Sequence, residues 1–317
     1  MTTSRPADVA AAIPEVRAPA QRAPGRRRRI LSYWPQYLAI SPFYVLFAAF
    51  GLFPVLFTFF LAFQRWNGLG DMQFAGLDNF RYLLTDDTFW LSLWNTLAIW
   101  VISTVPTLSL ALVVAVFINS VIRGKGFYRL AFFLPNVTSV VAMAIFFGAL
   151  FATNFGLVNA LLHWIGAPTV AWLSNPWGMK IVIAVLTVWQ WTGYNAIIYL
   201  AGLQTISSDL YDQAKVDGAG PVQTFFYITV PLLRPVILFT IVISTVGGLQ
   251  TFTEPQVLVG NSGGRGQGAL TMVLYFYQQA FVNNDYGYGA AIAVAVFVIV
   301  TTFTIINWRL VQRRQAD

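Results

Sequence analysis

Cysteine is absent from the 317-residue chain, and histidine occurs once, at His163. The first absence removes disulfides and thiolate metal sites, and the second leaves no histidine pair for a metal or catalytic centre. Charge is scarce as well: Asp, Glu, Lys and Arg make up 10% of the residues, against roughly a quarter in soluble domains. No segment has the Gly-x-x-x-x-Gly-Lys-Ser/Thr spacing whose backbone amides cradle nucleotide phosphates. Gly124-Lys125 comes nearest, and Gly126 follows it. These absences speak against an enzyme, a metal protein or an ATPase on this chain.

What the chain has instead is apolar surface. Hydrophobic residues reach 57% and aromatic residues 16%. A soluble fold of this composition could not cover itself with polar groups, so lipid is the simpler solvent. A spanning helix needs about 20 mostly apolar residues, and six stretches qualify: 37–63, 94–118, 130–152, 181–202, 235–259 and 288–307. Glu254 is the one charged residue inside them. Pro42, Pro54 and Pro106 fall within spans, where neighbouring helices can satisfy the freed carbonyls. The expected fold is an all-α polytopic membrane protein with six transmembrane helices.

Residues 1–30 read as a disordered basic tail, with four prolines and the run Arg26–Arg29. The apolar stretch after it is too long for a cleaved signal and is expected to remain as an anchor. With the N-terminus inside, fifteen of the nineteen basic residues fall on the inner side, Arg123, Lys125, Arg129, Lys215, Arg234, Arg309, Arg313 and Arg314 among them. Arg65, Arg81, Lys180 and Arg265 fall outside. That asymmetry predicts cytoplasmic termini. It also accounts for the net charge of +7 without nucleic acid. Of the outer connections, 154–177 reads as a short amphipathic helix at the interface, carrying His163.

The connection between the fourth and fifth stretches is unusual for an inner loop. From Asp209 to Pro235 it reads as two short helices with a hinge. Asp209 is expected to cap the first helix, with Asp212 as a weak capping-box partner. Gly218 fits the left-handed residue that closes it. Asp217 or Gly220 is expected to open the second, with Pro221 in its first turn. Pro231 and Pro235 are expected to stop that helix before the next span. Ala214, Gly218, Ala219 and Gly220 leave little side-chain bulk, which suits close docking.

This segment resembles the cytoplasmic coupling loop of binding-protein-dependent ABC importer permeases. That pattern is Glu-Ala-Ala, three residues, Gly, and a downstream hydrophobic-Pro ending. Asp217, Gly218, Ala219, Phe225, Ile228, Pro231 and Pro235 match the sugar-permease version in order and spacing. Asp212 stands where Glu is usual, and Gln213 replaces the first Ala. The likeness extends to the segments 189–206, 247–264 and 281–314, so that it covers roughly 94–314. It implies a type I importer permease whose first span packs on a second, homologous permease subunit. It further implies cytoplasmic ATPase subunits that carry ATP and Mg and engage the loop, an extracellular solute-binding protein, and location in the cytoplasmic membrane. The chain then divides into a tail (1–30), a first helix (31–64), a five-helix core (90–310) containing the coupling loop (204–234), and a short tail (311–317). The coupling residues implied are Asp212, Ala214, Asp217, Gly218, Ala219, Phe225 and Pro231.

A sugar needs many hydrogen bonds and flat apolar faces, and intramembrane polar side chains should face a cavity. Gln190, Trp191, Tyr194 and Asn195 offer that mixture in the fourth stretch, as do Gln250, Thr251, Thr253, Glu254 and Gln256 in the fifth. Gly193, Gly247 and Gly248 would let a ligand or a helix approach the backbone. The resemblance places sugar contacts around Gly193–Asn195 and Gln250–Gln256. The same polar residues would also serve helix–helix hydrogen bonding. The cargo expected is a di- or oligosaccharide. Import of glycerol phosphate, the sister reading, would favour cavity-facing Arg or Lys, and none lies in the last three stretches. An ion-coupled transporter would need inverted repeats or several intramembrane ionisable groups, and Glu254 alone qualifies.

Overall fold

The structure, a computed structural model, describes residues 33–120 and 124–313, with side chains through 309. The basic tail 1–30, Arg123, Arg314 and residues 314–317 lie outside the described residues, and of Arg313 only the backbone is described. Among the described residues five helices are long and apolar enough to cross a membrane, or six if one bent pair counts as a single span.

The chain divides into two units at Val55 and Leu56. The described part of the first unit is helical from Trp34, with Pro35 in the first turn, where a missing N–H costs nothing. Helix α1 is Trp34–Leu61. It carries Pro42 and a wide π turn at Ala48–Leu52.

The second unit holds the other spans. A two-residue hairpin, β1 (Gln64–Arg65) with β2 (Gln73–Phe74), leads into α2 (Asp78–Thr85). Helix α3, Asp87–Ser120, is the longest among the described residues. Asp86 Oδ1 accepts from the Thr88 amide at 2.9 Å and so caps its first turn. The third expected span is not one rod. It is α4 (Lys125–Val137) and α5 (Val140–Leu150), bent by 91°. Thr138 and Ser139 are both extended between them, with ψ of 145° and 124°, and that breaks the hydrogen-bond ladder. The amphipathic outer helix is α6, Leu157–Trp164, its connection tied down by Asn159, which bonds Thr153, Val170 and Trp172.

Helix α7, Pro176–Leu203, opens on Asn175, whose Oδ1 accepts from the Trp177 and Gly178 amides. It packs along α3, and the two share a core of Ala111, Ala115, Ile118, Ala196, Tyr199, Leu200 and Leu203. Small residues on the facing sides let the backbones approach, as lipid-immersed helices require. After α8 (Ser208–Val216), α9 runs through Pro221–Gly248. Tyr199 reaches α9 through a 2.7 Å bond to Thr240.

The fifth span therefore ends earlier than expected. Gly247 and Gly248 weaken the helix, Leu249 closes it, and Phe252 is no longer helical, with φ −136°. A short helix, α10 (Thr253–Val259), follows the break, so Glu254 and Gln256 do not lie on the spanning rod. Then come α11 (Met272–Tyr277), which runs on as a π turn to Val282, and α12 (Tyr286–Arg313). Asn307 of α12 donates to Thr245 of α9 at 3.0 Å.

Candidate functional site

The break after Gly248 opens a cavity of about 300 Å³, the lower end of the range for small-ligand sites. Three walls surround it. Helix α3 supplies Ser103, Thr104 and Thr107; α7 supplies Thr187, Trp191, Tyr194 and Asn195. The end of α9, the break and the start of α10 supply Ser244, Gln250, Thr251, Thr253 and Glu254. The break is held from behind. Thr271 donates to the Thr251 carbonyl at 2.7 Å, and the Met272 amide donates to Thr96 at 2.9 Å. Asn95, buried on α3, donates to the carbonyls of Gln267 and Leu270. The loop after α10 is thus pinned to α3, and that fixes where Gln250–Glu254 stand.

Of the residues singled out in the sequence, Tyr194, Asn195, Gln250, Thr251 and Glu254 meet at this cavity. Trp191 and Tyr194 form an edge-to-face pair with ring centroids 5.6 Å apart. Asn195 donates to the Trp191 carbonyl at 3.0 Å and lines the same wall. Burial pushes the Glu254 carboxyl, beyond the end of the span, above the ordinary carboxylate range, and a bond from its own backbone opposes that. Three residues stand elsewhere. Gln190 is buried away from the cavity with Oε1 unpartnered. Gln256 donates to Asn261 at 3.2 Å. Gly193 faces α4: a Cβ there would lie 1.7 Å from the Phe132 carbonyl oxygen. The close approach it permits is that of a helix rather than a ligand.

The hydroxyls of α3 were not anticipated. Ser103 and Thr107 are four apart and share a face with Thr104 between them, but each of the two returns its proton to its own helix. Such bonding lets hydroxyls sit in an apolar run without interrupting it.

The loop between α7 and α9 is the second site of interest. Ser207, not Asp209, caps α8, accepting from the Asp209 amide at 3.3 Å. Asp212 is instead tied to Lys215 at 2.9 Å on the exposed face. Gly218 has φ +76°, the left-handed closure its position requires. Asp217 is the C-terminal cap of α8, its amide donating into the last turn, and does not open the next helix; Gly220 does, and Gln223 accepts from its amide at 3.2 Å. Pro231 and Pro235 do not stop that helix. A π turn at Phe225–Thr229 precedes Pro231, and the wider spacing absorbs the donor that proline lacks. Ala214 is buried, whereas Ala219 is half-buried and Phe225 half-buried beside exposed Phe226 and Tyr227.

A cavity between spans, with a two-helix loop at one end of α7, suits a component of a transport system. Residues 87–316 match the family described as the binding-protein-dependent transport system inner membrane component. The chain belongs to that family. As a permease of this family it is a membrane component of a binding-protein-dependent transport system and not itself an enzyme. The arabinooligosaccharides transport system permease protein AraP of Halalkalibacterium halodurans is 36% identical over 271 residues, 85% of each chain. The lactose transport system permease protein LacF of Rhizobium radiobacter is 37% identical over 248 residues, 77% of this chain and 83% of the relative. A crystal structure of a bacterial ABC transporter that imports alginate contains a chain matching this permease with a TM-score of 0.78. The match is 24% identical and covers 90% of this permease and 98% of that chain, which establishes the shared fold.

Proposed function

We propose that the chain is a permease subunit of an ATP-driven importer and that it passes a di- or oligosaccharide through the cavity between α3, α7 and α10. The observation that carries this reading is the lining. Hydroxyls and amides from three walls converge beside the Trp191–Tyr194 pair, and a sugar offers the matching hydroxyls and apolar ring faces. Relatives named for arabinooligosaccharide and lactose transport point the same way. In this reading both termini are cytoplasmic, a second permease subunit completes the path, and a solute-binding protein delivers cargo from outside. Phosphorylated cargo is disfavoured, because among the described residues no Lys or Arg lines the cavity.

Gln250→Ala tests the path. The side chain projects from the break and its loss removes one or two hydrogen bonds to cargo. Uptake at sub-saturating sugar is expected to fall about three- to tenfold, with normal co-purification of the ATPase. Unchanged uptake kinetics would assign Gln250 to packing.

The loop 204–234 is the coupling element in this reading, with ATP and Mg on the partner that it engages. A Cβ at Gly218 would meet nothing within 4 Å in this chain, so the cost of Gly218→Val is backbone strain. Forcing a β-branched residue into the left-handed region costs about 1–2 kcal/mol or more and shifts α8 relative to Pro221. The variant is expected to insert normally and to lose most sugar-stimulated ATP hydrolysis. Wild-type stimulation with normal ATPase association would remove the loop from coupling.

A further inference from the structure

We propose that Glu254 makes this cavity a charge filter, which admits uncharged carbohydrate and disfavours anionic carbohydrate such as uronates or sulfonated sugars. The proposal rests on the cavity being the sugar path and adds to it the charge class of the cargo.

Three observations carry it. Among the described residues Glu254 is the one carboxylic acid that lines the cavity, and no Lys, Arg or His lines the same space. Among the described residues no basic group pairs with it: the ion pairs present join Arg65 and Arg81 to Asp78, and Lys215 to Asp212. Glu254 is half-buried at the cavity wall, where burial raises its carboxyl pKa and opposes ionisation, so the measurement below is made on the alkaline side. The break that carries it is held by Thr271 and Asn95, which fixes the backbone position from which the Glu254 side chain reaches the cavity.

An unpaired carboxylate in a confined, low-dielectric space sets the sign of the local potential. A neutral sugar offers it two hydroxyl donors. A second carboxylate or a sulfonate meets repulsion and leaves both acceptors without protons. Structural packing alone would not require a charge here, since glutamine would fill the same volume.

The chain's lack of cysteine permits a direct measurement. Ser244 lines the cavity and Ser244→Cys is nearly isosteric. The variant chain would be assembled with its partner permease and ATPase, both made cysteine-free. Cationic, neutral and anionic methanethiosulfonate reagents would then be applied at pH 8. The cationic reagent is expected to react about tenfold or more faster than the anionic one after correction for intrinsic reactivity. Adding Glu254→Gln should bring that ratio close to unity while leaving the neutral reagent's rate unchanged. A ratio that Glu254→Gln does not move, or one near unity from the start, overturns the charge filter and leaves the sugar path standing. Failure of all three reagents to react would instead contradict the cavity as an aqueous path, and the filter with it.

Discussion

Gly193→Ala is expected to prevent accumulation of a folded permease. The hydrogen at this position lets α7 lie directly on the backbone of α4. An added Cβ would stand 1.7 Å from the Phe132 carbonyl oxygen and 2.4 Å from its carbon. A flexible side chain could move aside, but a carbonyl inside a helix cannot. The helices would have to separate, and α4 supports one side of the core at Tyr128 and Phe132. Ordinary overpacking costs about 1–3 kcal/mol, and contact with backbone exceeds it. The yield of monodisperse protein in mild detergent should drop to roughly a tenth of wild type or less. Gly126→Ala is the control, since a Cβ there meets nothing within 4 Å. Wild-type yield and thermal stability for Gly193→Ala would show that α4 and α7 do not pack this way.

The second large effect is expected at Asp86. Its Oδ1 caps α3, and its Oδ2 accepts from the hydroxyls of Tyr275 and Tyr288. One buried carboxylate thus joins the starts of α3 and α12 to α11. Burial, then the bond to Asp86, push the Tyr275 hydroxyl above its ordinary range, so it remains a protonated donor. Asp86→Ala strands two hydroxyls and a first-turn amide in a cluster that includes Leu83, Phe89 and Leu274. The cost expected is about 3 kcal/mol or more. In a thermal unfolding scan that should appear as a loss of about 5 °C or more. Asp86→Asn keeps the shape and one acceptor, and should fall between. An unfolding temperature for Asp86→Ala within about 1 °C of wild type would contradict the clasp.

The two residues differ in how far the sequence reveals them. Asp86 carries no local signal of its role, because its tyrosine partners lie 189 and 202 positions away. Gly193 read as a site where a ligand or a helix could approach, and only the position of Phe132 decides for the helix. The spans were legible because twenty apolar residues in a row have one stable environment. Their interruptions were not. Averaged hydropathy passes straight over Thr138 and Ser139, where two extended residues turn the chain by 91°. It likewise passes over Gly247–Gly248, although the glycine pair is itself a helix-ending signal. Amides and a carboxylate stand out in an apolar run, and of those singled out Asn195, Gln250 and Glu254 line the cavity whereas Gln190 and Gln256 do not. Ser103, Thr104 and Thr107 were missed because hydroxyls that bond their own helix do not. In the loop, the left-handed Gly218 and an opening at Gly220 were legible from glycine's freedom, whereas the first cap was expected at Asp209 and is held by Ser207 two residues before it.

The most direct test is the source of energy for accumulation. The permease would be reconstituted in liposomes with its partner permease, its ATPase and its binding protein. Labelled disaccharide should concentrate in the lumen only with ATP on the ATPase side and binding protein on the other, and should persist when proton and sodium gradients are collapsed. Accumulation driven by either gradient without ATP would contradict the account.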